Sequence, residues 1–410
     1  MPLNKVKKVL ASHLKELEEK GTLKGKETVI TGIKPAEGDK GPRYFIEGYG
    51  DKEFLRMNAN SYLGMSIKKE VIEAEEKAAR EFGAGPGAVR FISGTYAPHI
   101  ALEKRLAEFH NREAAMIFSS AYSTVMGILP TFITKDTIVI SDELNHNCII
   151  NAIRLARPKD KKIYKHNDMA DLGSVLKSVV GKGKRVIIVT DGVFSMRGEY
   201  APLKEIADLA ERYDPEFEEG VITMVDDSHG VGALGETGRG TTEQTHENRI
   251  DILVSTLGKS LGINGGYVVS DKTVIDHLRE TAPFYIYSNP ITPSEASASL
   301  AALNILDSER GRQLLKHLHE MTARFEKGLI DLGYEVIKGP HPVVPLMIRD
   351  TEKTTELVKY LKDNGILATG LNYPVVPKGD QEIRFQICSD HTKNDIDYAL
   401  SVLKKYKETH

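Results

Sequence analysis

Short, continuous apolar runs separated by stretches with helical spacing constrain this chain more than any other feature. They are Ala114 to Phe118, Thr137 to Ile140, Lys162 to Tyr164, Val186 to Val189, Val221 to Val225, Ile252 to Val254 and Tyr267 to Val269. A strand that is apolar along its whole length must be covered on both faces. That condition is met inside a mostly parallel sheet with helices on either side. The spacing therefore predicts an α/β body of this kind. At 410 residues the chain is too long for one compact unit, and three parts are expected. Residues 1–56 read as an arm, with a helix marked by Val6, Leu10, Leu14 and Leu17. A hairpin follows, from Arg43–Gly48 and Phe54–Met57 across a turn at Gly50-Asp51. Residues 57–292 read as the large domain, and 293–410 as a smaller α+β domain. The latter holds a long helical region from Ser294 to Leu332, a strand at Val343–Ile348, a helix over Leu357–Asn364 and a strand at Ile383–Ile387. The insert Asp214–Gly220 reads as a surface loop.

Composition removes several classes of function. A net charge of −3 leaves no footprint for nucleic acid or an anionic membrane. No apolar stretch approaches the ~20 residues of a membrane-spanning helix. Two cysteines, Cys148 and Cys388, cannot build a disulfide framework, so a reducing, cytoplasmic setting is expected. Met1 to Lys26 lacks the apolar core of a secretion signal.

In an open parallel sheet, ligands bind beyond the carboxyl ends of the strands. Candidate groups gather there. Asp142, Asn145 and His146 follow one run, and Asp191 and Ser195 another. Asp226 and His229 follow a third, and Thr256 and Lys259 a fourth. A lysine and a carboxylate at neighbouring strand ends are what pyridoxal 5'-phosphate (PLP) requires. The lysine forms a Schiff base with the aldehyde, and the acid keeps the pyridine nitrogen protonated so that the ring accepts electrons. Lys259 and Asp226 are the candidates for these roles, and Asp227 is better suited to capping the next turn. A strand-end acid in a purely structural role remains the alternative for Asp226. His229 is placed to meet the ring hydroxyl, and His146 to stack on the ring. Phosphate needs amides at a helix start together with hydroxyls, which Ala121, Tyr122 and Thr256 supply. Arg384, inside an apolar strand, needs a carboxylate: either a substrate's or an internal acid's. Gly83–Gly87 lacks a preceding strand and is not read as a dinucleotide loop. His13, His99, His110, His166, His246, His277, His317, His319, His341 and His410 read as surface residues.

Together these segments resemble the α-oxoamine synthase family of fold-type I PLP enzymes, from about Met57 to His391. The matching motifs are Asn60–Gly64, Val89–Thr95, Ser141–His146, Thr190–Met196, Val225–Gly230, Gly235–Gly240, Thr256–Gly262 and Tyr373–Gly379. The resemblance implies that Lys259 is the Schiff-base lysine, with Asp226, His229, His146 and Ser195 around the ring. Ala121, Tyr122 and Thr256 would hold the phosphate, assisted by Ser288 from a second subunit. Asn60 and Arg384 would hold the substrate carboxylate. It further implies a homodimer with shared sites, acting on an amino acid and an acyl-CoA. The expected reaction joins glycine to acetyl-CoA, giving 2-amino-3-ketobutyrate. The alternatives are another reaction of the family, such as alanine with pimeloyl-CoA, an aminotransferase, or a PLP-binding protein without activity.

Overall fold

The computed structural model describes residues 3–20, 23, 27–373 and 375–410. Part of the Met1–Lys26 stretch, and Pro374 within the Tyr373–Gly379 motif, lie outside the described residues. All seven apolar runs enter one seven-stranded sheet. Its spatial order is Ala114–Phe118, Gly266–Ser270, Ile252–Thr256, Val221–Asp226, Arg185–Asp191, Thr137–Asp142 and Asp160–Tyr164. Gly266–Ser270 alone is reversed, antiparallel to both of its neighbours. The other neighbouring pairs are parallel.

Alternation along each strand builds two cores. Val186 and Ile188 pack into one, and Ile187 and Val189 into the other. Each such side chain contributes about 1.5–3 kcal/mol when fully buried. In the strands Thr137–Asp142, Arg185–Asp191, Val221–Asp226, Ile252–Thr256 and Gly266–Ser270, charges are therefore confined to the strand ends. Register places Asp226 beside both Asp191 and Val254. The polar ends of adjacent strands thus finish level with one another.

The smaller domain carries a four-stranded antiparallel sheet, ordered Glu335–Val336, Val343–Met347, Glu382–Gln386 and Thr369–Leu371. The arm departs from the expected hairpin. Arg43–Ile46 pairs with Ile30–Lys34, and only a bridge between Tyr44 and Phe54 joins it to the next segment. Leu55–Arg56 instead runs parallel to Ile366–Leu367 in the smaller domain. The Ile30–Lys34 strand escaped notice because most of it is exposed and no buried alternation marks it. The long helical region is two helices, Pro293–Leu306 and Glu309–Asp331. Ser308 restarts the helix by accepting the Gly311 N–H, and Asp307 at the break binds both Arg105 and Arg239. The next helix is longer than expected, Thr351–Asp363. Asp214–Gly220 is only partly a surface loop, because Phe217 turns inward and is buried. Both cysteines are free thiols. Among the described residues no helix is long and apolar enough to cross a membrane.

Candidate active site

The strand ends open into one pocket lined by Lys259, Asp226, His229, His146, Ser195, Ala121 and Tyr122, with Cys148, Asp191, Val193 and Ser228 completing it. A more open depression at Asp214, Thr223 and Arg249 lies by the opposite end of the Val221–Asp226 strand, and its lining residues include no lysine, histidine or cysteine.

Asp226 is buried at its strand end. Its Oδ1 accepts the Ser228 N–H at 3.1 Å and the Ser228 hydroxyl at 2.5 Å. Among the described residues its Oδ2 receives only the Cys148 thiol, at 3.6 Å. One oxygen is therefore anchored, and the other keeps acceptor capacity for a cationic partner. Asp191, the neighbour in register, is pushed well above the usual carboxyl range by burial and by the charge of Asp226. It accepts the His146 N–H at 2.9 Å. Burial lowers the Lys259 amine to about 8, against the opposing attraction of Asp226 and Asp191. A lysine near 8 has a substantial neutral fraction at physiological pH, as a nucleophile or a proton acceptor requires.

His146 is the N-cap of helix Asn147–Ala156, its Nδ1 accepting the Cys148 N–H at 3.2 Å. Burial of its packed side lowers its pKa, and the edge of the Tyr122 ring faces it. His229 meets the Tyr62 hydroxyl at 2.8 Å through Nδ1. Burial, then the charge of Lys259, holds it well below the usual histidine value. Ala121 and Tyr122 open helix Ala121–Phe132, whose N-cap Ser120 accepts the Ser123 N–H at 3.1 Å. Their own amides have no acceptor within the helix, which makes this turn a ready anion cradle.

Four expected residues lie outside this pocket's lining. Thr256 holds its own turn: its hydroxyl donates to Gly265 O at 3.1 Å and accepts the Gly258 N–H at 3.0 Å. It pairs with Gly266, where any Cβ would strike the Ala121 backbone, so it lies one strand pairing from the helix start. Ser288 is partly exposed and contacts its neighbour Asn289. Asn60 accepts a long hydrogen bond from the Tyr62 hydroxyl, 3.4 Å. Arg384 donates to Ser195 O at 3.1 Å. With the Gln386 amide turned so that its oxygen faces the guanidinium, Arg384 also donates to it from Nε at 2.9 Å and Nη2 at 2.7 Å. Among the described residues Arg384 makes no ion pair within 4.0 Å, although the charge of Glu382 acts on it. A partly buried guanidinium held by neutral oxygens has room for an anion.

The surface reading is corrected for three histidines. His99, His110 and His341 are buried and hydrogen-bonded to Ile291 O, the Tyr267 hydroxyl and His229 O. His341 matters to the site. It crosses from the smaller domain to the His229 carbonyl at 2.9 Å, and burial pushes its pKa down to about 3. Tyr62 sits between them, its ring edge-on to His341 at 5.2 Å. Flanking prolines, Pro340 and Pro342, were the available signal that His341 lies in a fixed turn.

An amine lowered by burial, a carboxylate with one uncommitted oxygen and an open helix start form the donor set that fits PLP. The family described as aminotransferase class I and II matches residues 52–403. The chain is 40% identical to 8-amino-7-oxononanoate synthase 1 of Bacillus velezensis, over 91% of this chain and 92% of that protein. It is 38% identical to 8-amino-7-oxononanoate synthase of Petrotoga mobilis, over 97% and 96%. A serine palmitoyltransferase variant from S. paucimobilis with bound PLP superposes at a TM-score of 0.87, with 25% identity, covering 99% and 98%. The chain belongs to the aminotransferase class I and II family and has its fold-type I, PLP-dependent transferase architecture. Within it the chain is of the α-oxoamine synthase type, an enzyme that uses acyl-CoA. Both relatives are named as 8-amino-7-oxononanoate synthases, and neither name is that of the expected glycine–acetyl reaction.

Proposed function

We propose that this chain condenses alanine with pimeloyl-CoA to give 8-amino-7-oxononanoate, CoA and carbon dioxide. The product holds one carbon fewer than the two substrates bring together, so the amino-acid carboxylate is the group that leaves. The observation that carries the reading is the meeting of Lys259 and Asp226 in one pocket, with the names of the relatives indicating the substrates.

Bound PLP supplies an electrophilic aldehyde and, once its ring nitrogen is protonated, a sink for the electron pair left at the amino-acid α-carbon. Lys259 holds the cofactor. With the cofactor and substrate bound, a free Lys259 Nζ would be the acceptor for the α-proton, for which a pKa of about 8 is suited. Asp226 keeps the positive charge at the ring nitrogen. His229 and Ser195 would meet the ring hydroxyl, and the Ala121 and Tyr122 amides, with Thr256, would hold the phosphate. Arg384 and Asn60 hold the substrate carboxylate. His146, a donor through Nε2, would cover the ring and polarise the thioester oxygen. Phe91, Ile92 and Tyr287 stand 65%, 68% and 81% exposed in the single chain. Their exposure supports a homodimer in which Ser288 reaches the phosphate of the second copy's site.

The glycine–acetyl-CoA reading retains the support of the Tyr373–Gly379 motif. Its other support, Val89-Arg90-Phe91, is weaker, because Arg90 is buried in an ion pair with Glu103 at 3.1 Å and so has a structural role. A panel of amino acids against acyl-CoA thioesters, scored for free thiol and for carbon dioxide, separates the two. The proposal expects both products with alanine and pimeloyl-CoA. Thiol release without carbon dioxide, from glycine and acetyl-CoA alone, would replace it.

A further inference from the structure

We propose that Cys148 is a positioning residue whose single thiol proton is shared between His146 Nδ1 and Asp226 Oδ2, coupling the two residues and holding both toward the pocket. Cys148 is 1% exposed and lies in the first turn of helix Asn147–Ala156. Its Sγ stands 3.0 Å from His146 Nδ1 and 3.6 Å from Asp226 Oδ2. The Cys148 backbone N–H also donates to His146 Nδ1. That nitrogen is therefore an acceptor, and the ring proton sits on Nε2. The thiol thus has two acceptors in reach, one on each residue proposed to flank the PLP ring. Burial, then the charges of Asp226 and Asp191, push the thiol pKa upward, so it remains a protonated donor. A thiol is a weak donor. It orients Asp226 Oδ2 without neutralising it, while Ser228 anchors Oδ1.

The groups facing His146 include His229, across the same pocket. Asp226 attracts the cationic form of His146 and Lys259 opposes it. Asp191 accepts its backbone N–H, Cys148 meets Nδ1, and the Tyr122 ring stands edge-on. The inference rests on the reading that His146 and Asp226 contact PLP, but its test does not require turnover.

The test compares Cys148→Ser, which keeps a donor, with Cys148→Val, which keeps bulk and removes it. Full-length protein with labelled histidine is titrated by NMR with and without PLP, and His146 is assigned by loss of its signal in His146→Gln. Only the neutral imidazole accepts a bond at Nδ1, so removing the donor favours the imidazolium. His146 in Cys148→Val should titrate about one pKa unit higher than in the wild type, while Cys148→Ser should stay close to the wild type. Space filling predicts the reverse, with Val matching the wild type and Ser the outlier. That pattern, or no shift in any variant, overturns the proposal. If Cys148→Val does not fold, Cys148→Ala provides the arm without a donor. Absence of lysine-linked PLP absorbance would sink the functional reading, whereas the His146 titration is read in both states and tests Cys148 separately.

Discussion

Asp226 and Asp227 are consecutive, both buried, and face opposite sides of one turn. On the pocket side, Asp226 keeps one oxygen with nothing stronger than a thiol. On the inner side, both Asp227 oxygens are committed, accepting the Thr241 hydroxyl at 2.5 Å and the Thr241 N–H at 2.7 Å. Gly192, Gly230 and Gly240 crowd that carboxylate so closely that a Cβ on any of them would overlap it. Gly240 also has a φ of 85°, which a side chain would strain. The same residue type thus serves two ends: a saturated carboxylate locks the turn, and an unsaturated one is left for a ligand. The difference lies in which hydrogen-bond capacity the fold leaves unused.

Substitutions on the two sides should therefore fail differently. Lys259→Ala has the largest expected effect: loss of lysine-linked PLP absorbance and at least about a thousandfold loss of turnover, with unfolding unchanged. Asp226→Asn should bind PLP yet lose about a hundred- to a thousandfold in kcat, measured by thiol release, because the ring nitrogen loses its counter-charge. Arg384→Ala should raise KM for the amino acid about ten- to a hundredfold, since a charged hydrogen-bond partner of the carboxylate is gone. Asp227→Asn, by contrast, should lower unfolding stability in urea by about 1–3 kcal/mol while leaving the kcat of the folded fraction within a few-fold. If Asp227→Asn abolished turnover with stability intact, or Asp226→Asn did the opposite, the contrast would be broken.

A pH experiment sharpens the pocket side. The neutral amine is the form that attacks PLP, and burial brings Lys259 down to about 8. Capture of PLP by cofactor-free protein, followed by absorbance, should speed up about tenfold per pH unit below 8 and level off above it. A rise continuing past pH 10 would mean that the amine is not held in a buried pocket.

The sequence shows the sheet because its strands are apolar throughout, and it shows the strand-end residues because each polar motif directly follows such a run. Convergence of those ends follows from parallel topology. What it does not show depends on long-range packing. His341 reaches His229 from over a hundred positions away, and its flanking prolines signal a fixed turn without naming the partner. The break at Asp307 is set by Arg105 and Arg239, both remote in sequence. The glycine cage around Asp227 draws on two separate loops, and each glycine alone reads as an ordinary turn. The arm's first strand is largely exposed, so periodicity had little burial to report.

The most direct test is to load the protein with PLP, reduce it with borohydride and map the modified peptide by mass spectrometry. The account predicts the cofactor mass on Lys259 and nowhere else. Attachment to a different lysine, or no attachment at all, would contradict it.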